Sequence, residues 1–257
     1  MGGLSRLLAV ASNTFRETVR ERVLYNLVFF AILMTLSGLL LGQLSIRQDE
    51  KIIKDIGLAA MDGFGTLIAI FVGVGLVSKE IDRRSLFPLL AKPVTRDEFL
   101  LGKFAGLTFT LMVNVAVMAA GLYLTLLATG RRPDLALVKA VYAIFLGLAL
   151  TVAVALLFSV FTSAALATVC TVTLVVAGRF SDVLQHIREV APGAPGWLVQ
   201  AVYYALPNFH LLDLKDHVVY GDPVGLRALA ALTGYAAVYL AVVLGIALAA
   251  FRRREFV

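Results

Sequence analysis

The chain has 257 residues, 60% of them hydrophobic and 16% charged, with a formal net charge of +6 and a mean hydropathy of +0.89. The apolar residues come in blocks about 20 long instead of alternating with polar ones, which points to a membrane and away from a soluble core. No nucleic-acid module accompanies the basic excess, and a single cysteine, Cys170, leaves no intrachain disulfide to form.

Taken in chain order, residues 1–22 place Leu4, Leu7, Leu8, Ala11, Phe15 and Val19 in a narrow arc at about 100° per residue, with Arg6, Asn13, Arg16, Glu17 and Arg20 opposite. This predicts an amphipathic helix lying in a membrane interface. Apolar blocks long enough to cross about 30 Å of hydrocarbon follow at 23–44, 56–77, 104–128, 140–161 and 228–251. The uncharged run 140–178 is too long for one crossing, and the polar pair Thr162-Ser163 divides it, so 164–178 is expected to be a short fifth span among six. No short apolar core with a small-residue cleavage site precedes the first block, which is expected to act as an uncleaved anchor.

Six spans put both termini on one side. With the termini inside, that side holds Arg6, Arg16, Arg20 and Arg22, then Lys79, Arg83, Arg84, Lys92, Arg96 and Lys103, then Arg252, Arg253 and Arg254. After the acidic residues are counted, the whole net charge of +6 falls there and the outer side is neutral, as the positive-inside rule expects. Basic residues beside a membrane suit anionic lipid. The outer loops 45–55 and 129–139 are short. The third, 179–227, carries an amphipathic stretch to Ala191, a PGAPG break at 192–196, and an aromatic belt of Trp197, Tyr203 and Tyr204. Short outer helices, re-entrant or amphipathic, are expected there, either as a lid that touches an extracytoplasmic accessory protein or lipid, or as a brace. The whole of 1–257 reads as one domain.

Residues with chemical potential are few. Gly102-Lys103 is followed by Phe104, so the phosphate-binding loop GxxxxGK[ST] is absent, as are HExxH and GxSxG. This chain is therefore expected to bind no cofactor and to be no enzyme. His210, Asp213 and His217 would share a face of a continuous helix, but His210 and His217 would stand about 10 Å apart, too far for one ion. Asp62 lies inside the second span, where a carboxylate either lines a pathway or, if Gly63 and Gly65 let the helix begin late, sits in the interface. Gly38xxxGly42 and Gly102xxxGly106 are expected to let helices approach closely within the chain.

The segment 78–103 is the sharpest signal. Charges cluster at Lys79, Glu80, Asp82, Arg83 and Arg84; Leu86, Phe87, Leu89 and Leu90 are apolar; Pro93 stops the helix; and Thr95 with Glu98 forms a capping box for the next one. Apolar residues flanked by both charges suit a docking surface. The run E-I-D-R-R-S-L-F-P-L-L-A-K-P-V-T-R-D-E-F-L-L-G-K resembles the first cytoplasmic loop of type 2 ATP-binding-cassette transporter permeases, in particular the multicopper-enzyme-maturation branch and related exporters. Glu80, Leu89, Leu90, Pro93, Thr95, Arg96, Gly102 and Lys103 carry the match, while Ser85-Leu86 stands where Gly-Thr is more usual.

That resemblance implies an all-α integral membrane permease subunit in the inner (cytoplasmic) membrane, paired with a second copy or a paralogue. It also implies two cytoplasmic ATPase subunits, which would hold the ATP and magnesium. The loop would be the coupling element, with Glu80, Asp82, Arg83, Arg84, Leu89, Leu90 and Arg96 docking the ATPase. Cargo would pass at the subunit interface lined by the first, second and fifth spans. A six-span intramembrane hydrolase and a non-transporting membrane anchor are the alternatives from other classes. Topology is directly testable. Gln48→Cys and Gly193→Cys should react with an impermeant thiol reagent in intact cells and Arg253→Cys only after lysis; labelling of Arg253→Cys in intact cells reverses the orientation.

Overall fold

In the computed structural model the described residues are 3–20, 29–30, 32–33, 49–82, 95–130, 134–181 and 206–253, with backbone alone at 4, 19, 20, 49 and 76–82. They form seven α-helices and one 3-10 turn: α1 Gly3–Arg20, α2 Asp49–Asp82, α3 Arg96–Ala128, α4 Ala136–Phe161, α5 Ala164–Arg179, the 3-10 turn His210–Leu212, α6 Lys215–Tyr220 and α7 Leu226–Arg253. Apart from 29–30 and 32–33, the expected first span with its Gly38xxxGly42, and the 192–196 break with its aromatic belt, lie outside the described residues.

Four helices, α2, α3, α4 and α7, are long and apolar enough to cross a membrane. α5 has 16 residues, about 24 Å of helix, and falls short of a 30 Å core. The break between α4 and α5 is where the polar pair predicts it. Thr162 and Ser163 are both extended, at φ −130° ψ 173° and φ −70° ψ 160°, and the carbonyl of Ser163 already accepts from the N–H of Ala167 at 2.8 Å. The chain therefore turns without leaving the next helix unstarted.

α4 is the central helix. The most apolar stretch of α4 is 72% buried against 22% for α7, because α4 packs on α2, α3, α5 and α7. Leu58, Met61 and Ile68 of α2, Leu107, Leu111 and Met118 of α3 and Leu148, Val152 and Leu156 of α4 share one core. Val218 and Val219 of the short α6 join it beside Ile53, so α6 is held against the first turns of α2. The expected outer loop 45–55 is thus helical from Asp49 onward, supported by the i,i+4 pair of Lys54 Nζ and Glu50 Oε1 at 2.5 Å. At its other end α2 continues past Val77, where the apolar run of the sequence stops, to Asp82, about 7 Å further.

α1 lies along the first half of α3, where two glycines receive it. A Cβ on Gly102 would stand 2.7 Å from Cβ of Val10, and one on Gly106 would stand 2.6 Å from the carbonyl oxygen of Ala11. The glycine pair thus serves packing within the chain. Thr14 and Thr18 are buried in this seam and return their hydroxyls to the carbonyls of Val10 and Thr14 at 2.9 and 2.8 Å. The seam lies about 80° around the helix from the centre of the apolar arc. Leu8 is left exposed, and Phe15 lies edge-on to the outward-facing Phe109 at 5.1 Å, an apolar margin suited to lipid. Gly106→Ala should therefore push α1 off α3, costing about 1–3 kcal/mol by overpacking. Gly234→Ala, with nothing within 4 Å of its Cβ, should be neutral or stabilising. Equal thermal midpoints for the two variants would contradict the seam.

Candidate functional site

Three elements distant in sequence converge on one carboxylate. Asp62 stands more than three turns inside α2, so the helix does not begin late at Gly63, and an interfacial position for Asp62 by that route is excluded. Arg179, the last residue of α5, grips it with both arms: Nη1 donates to Oδ2 at 2.5 Å and Nη2 to Oδ1 at 2.9 Å. Nη2 also donates to the hydroxyl of Thr66, one turn along α2, at 2.9 Å. From the first turn of α6, Lys215 Nζ donates to Asp62 Oδ2 at 3.0 Å and stands 3.2 Å from Asp213 Oδ2. The side chains of Asp62 and Lys215 are 14% and 16% exposed, that of Arg179 35%.

Local chemistry explains how the chain delivers Lys215 there. Gly178 has no side chain where the backbone of 207–209 crosses the end of α5; a Cβ would sit 2.2 Å from the carbonyl oxygen of Pro207. Phe209 N–H donates to the carbonyl of Gly178 at 3.1 Å, and Ser181 Oγ donates to Asn208 Oδ1 at 2.8 Å. The same Oδ1 accepts from Leu211 N–H at 3.1 Å, and Tyr235 OH of α7 accepts from Asn208 N–H at 2.7 Å. After the 3-10 turn, Asp213 Oδ1 accepts from Lys215 N–H at 3.1 Å, and α6 starts. At the far end of α6, Lys51 Nζ lies 5.5 Å above the Tyr220 ring, a second tie to α2.

A cavity of about 80 Å³, with room for several waters, opens beside the ions and is lined by Asp62, Arg179, Lys215, His210, Asp213 and Gly147 among others. Burial alone would lower the Lys215 ammonium, but the charge and hydrogen bond of Asp62, with a smaller contribution from Asp213, outweigh it and hold it above the usual lysine value. Lys215 therefore stays charged through the physiological range, and the stability it contributes is lost only as pH rises past that raised pKa. The charges of Asp62, Asp213, Arg179 and Lys215 cancel. The Asp62 oxygens accept from Arg179 and Lys215, and among the described residues no three His, Cys, Asp or Glu gather in one group. His210, Asp213 and His217 do not share a helix, because Asp213 is extended between the 3-10 turn and α6.

The opposite end of the bundle is where the charged loop leaves α2 and enters α3. Glu80 and Asp82 belong to the last turns of α2, while Arg83, Arg84, Leu89 and Leu90 lie outside the described residues. The capping box forms as expected: Thr95 Oγ1 accepts from Glu98 N–H at 3.2 Å and Glu98 Oε2 from Thr95 N–H at 2.8 Å. Arg96 turns toward the end of α7 and donates to the carbonyls of Phe251 and Arg252 at 3.4 and 3.1 Å. A cation on the C-terminal carbonyls satisfies groups that the helix leaves unpaired. Next to it Arg252 Nε donates to Asp97 Oδ1 at 2.9 Å, and the Phe99 and Phe251 rings stack at 6.2 Å. Lys103 is buried under α1, 3.7 Å from Glu17 Oε2 and 5.8 Å from the Phe99 ring centre.

Sequence reasoning singled out Asp62 and missed Arg179 and Lys215. The signal was present in principle, since an intramembrane carboxylate demands a cation and Arg179 is the first cation after an uncharged run of two helices.

A family model described as ABC-2 family transporter protein matches residues 8–256. No curated protein sequence matches the chain.

The two cations on Asp62 give a ranking of substitutions. Asp62→Asn takes from Arg179 its bidentate partner and leaves Lys215 with Asp213 alone, and should cost about 3–5 kcal/mol of stability. Arg179→Gln should cost clearly less, because Lys215 still neutralises Asp62, and the Asp62–Arg179 double-mutant cycle should return a coupling of about 1–3 kcal/mol. Denaturation midpoints in detergent check the order, and equal losses for the two single variants would contradict it.

Proposed function

Because the chain belongs to the ABC-2 transporter family, as the match over residues 8–256 shows, we propose that it couples ATP hydrolysis on a separate cytoplasmic ATPase to export or extraction of a substrate. The family makes it a multi-pass permease component of an ABC transporter and implies an ATPase partner. In the fuller reading two ATPase subunits carry the ATP and magnesium and two permease subunits, copies or paralogues, form the pathway in the inner membrane. Both termini face the ATPase. Membership of the multicopper-enzyme-maturation branch is the narrower proposal, and it rests on the loop residues Glu80, Leu89, Leu90, Pro93, Thr95 and Arg96.

The geometry supports the coupling role of the loop through what its two ends are joined to. It leaves α2 about 7 Å beyond the apolar run of that helix, within reach of a protein in water. It enters α3 at the capped turn where Arg96 and Asp97 hold the end of α7 and where Gly102 and Gly106 hold α1. A push on the loop thus reaches α1, α2, α3 and α7 together, and it does so through hydrogen bonds and close packing instead of a flexible linker. Arg96, engaged with α7, would pass the push on, leaving Glu80, Asp82, Arg83, Arg84, Leu89 and Leu90 as the contact surface.

Glu80→Lys combined with Arg83→Glu should cut recovery of the ATPase with the chain from detergent by about tenfold, the loss of roughly 1.4 kcal/mol of binding, while membrane insertion stays intact. Undiminished recovery would remove the loop from the docking surface.

A further inference from the structure

The ionic cluster at the other end is asymmetric in a way that a permanent brace does not need. Asp62 has two cations, and they arrive on bodies attached to different neighbours. Lys215 belongs to α6, which packs on α2 beside Asp62 through Val218, Val219 and Ile53, whereas the chain leading into it at 207–212 packs on α5, so the two bodies meet at the extended Asp213. Arg179 belongs to α5, a 16-residue apolar helix whose far side is open at Leu166, Val169 and Val176. The strand of chain at 207–209 is fastened to α5 through Gly178 and Ser181. Between the two bodies lies the cavity of about 80 Å³, and the Arg179 side chain, 35% exposed, is the most open of the three charges.

From this arrangement we propose that the Asp62–Arg179 pair is a reversible latch between α2 and α5, with Lys215 as the standby partner that makes it breakable. Breaking a buried ion pair is costly because an unpaired charge is left behind. Here neither charge is stranded. When Arg179 withdraws with α5, Asp62 keeps its bond to Lys215, and the freed guanidinium, at a helix end beside a cavity with room for several waters, is hydrated. Closure returns the bidentate contact. The inference rests on the transport reading above, in which this end faces away from the ATPase and the latch holds the outer mouth shut until the ATP cycle draws α5 aside.

A cysteine reporter tests it. Gly147 of α4 lines the cavity under Phe209 and Leu212, and its added Cβ would make only ordinary contacts of 3.9 and 4.0 Å with them. In a Cys170→Ser background, Gly147→Cys in the nanodisc-embedded complex with its ATPase is titrated with a charged methanethiosulfonate reagent. Without nucleotide, Arg179→Gln should raise the reaction rate about tenfold, a shift of about 1.4 kcal/mol toward the open form. Lys215→Met should leave the nucleotide-free rate low and suppress the rise caused by ATP, because Asp62 then has no other partner and Arg179 cannot leave cheaply. Opposite responses to removing two cations from one carboxylate are the signature of the latch. If both variants raise the rate, or if Arg179→Gln leaves it unchanged, the cluster is a brace and the latch is overturned. Should Arg179→Gln fail to fold, Arg179→Lys keeps the charge, loses the fork, and should raise the rate by about threefold; an unchanged rate is equally fatal. The nucleotide-free arm stands without the transport reading, whereas absence of any ATP effect on the unaltered latch counts against that reading alone.

Discussion

In hydrocarbon every polar group must find its partner inside the chain, because no water is there to replace one. That constraint accounts for the helices, whose backbones are satisfied internally, and also for the disposition of their side chains. The hydroxyls of Thr110, Thr151, Ser159 and Thr171, all buried, return to carbonyls one turn back in their own helices at 2.6 to 2.9 Å. Among the described residues Asn114 and Thr108 depart from this: Asn114 is 2% exposed and neither its amide nitrogen nor its oxygen has a hydrogen-bond partner, and the buried Oγ1 of Thr108 has none either. The charges, barred from the middle, collect at the two ends of the bundle, and the two collections are built differently.

At the end where the charged loop is attached, polar contacts join elements that also pack closely. Arg96 covers the carbonyls of α7, Arg252 meets Asp97, and the Phe99 and Phe251 rings stack between them. Glycines bring α1 against the same helix. At the other end the contact between α2 and α5 depends on one carboxylate and its two cations, beside a cavity. This difference between the two ends is what the proposed latch rests on, with movement placed at the Asp62–Arg179 contact.

How much of this was legible in the sequence follows from the range of each interaction. The Thr162-Ser163 break, the Thr95–Glu98 capping box and the close approach at Gly102 and Gly106 are local patterns of residue type, and they appear where the sequence places them. Residues 49–55 read as a loop because they are charged, although the i,i+4 pair of Glu50 and Lys54 was a helical sign. The partners of Asp62 lie 117 and 153 residues away, beyond any periodicity. Arg96 illustrates the same limit from the other side, since its neighbours in sequence suggest water and a partner protein, whereas its guanidinium faces carbonyls 155 and 156 residues on. Most of the expected first span and the proposed docking residues Arg83, Arg84, Leu89 and Leu90 fall outside the described residues, so the sequence remains the guide to them.

The contrast between the two ends is the central claim, and one measurement addresses it directly: electron cryomicroscopy of the chain bound to its ATPase, nucleotide-free and trapped with ATP. Arg96 should keep the carbonyls of Phe251 and Arg252 in both states, while in the trapped state Arg179 stands clear of Asp62 and Lys215 stays on it. An ATP-trapped complex with the Asp62–Arg179 pair intact, and the contact between α3 and α7 broken instead, would contradict it.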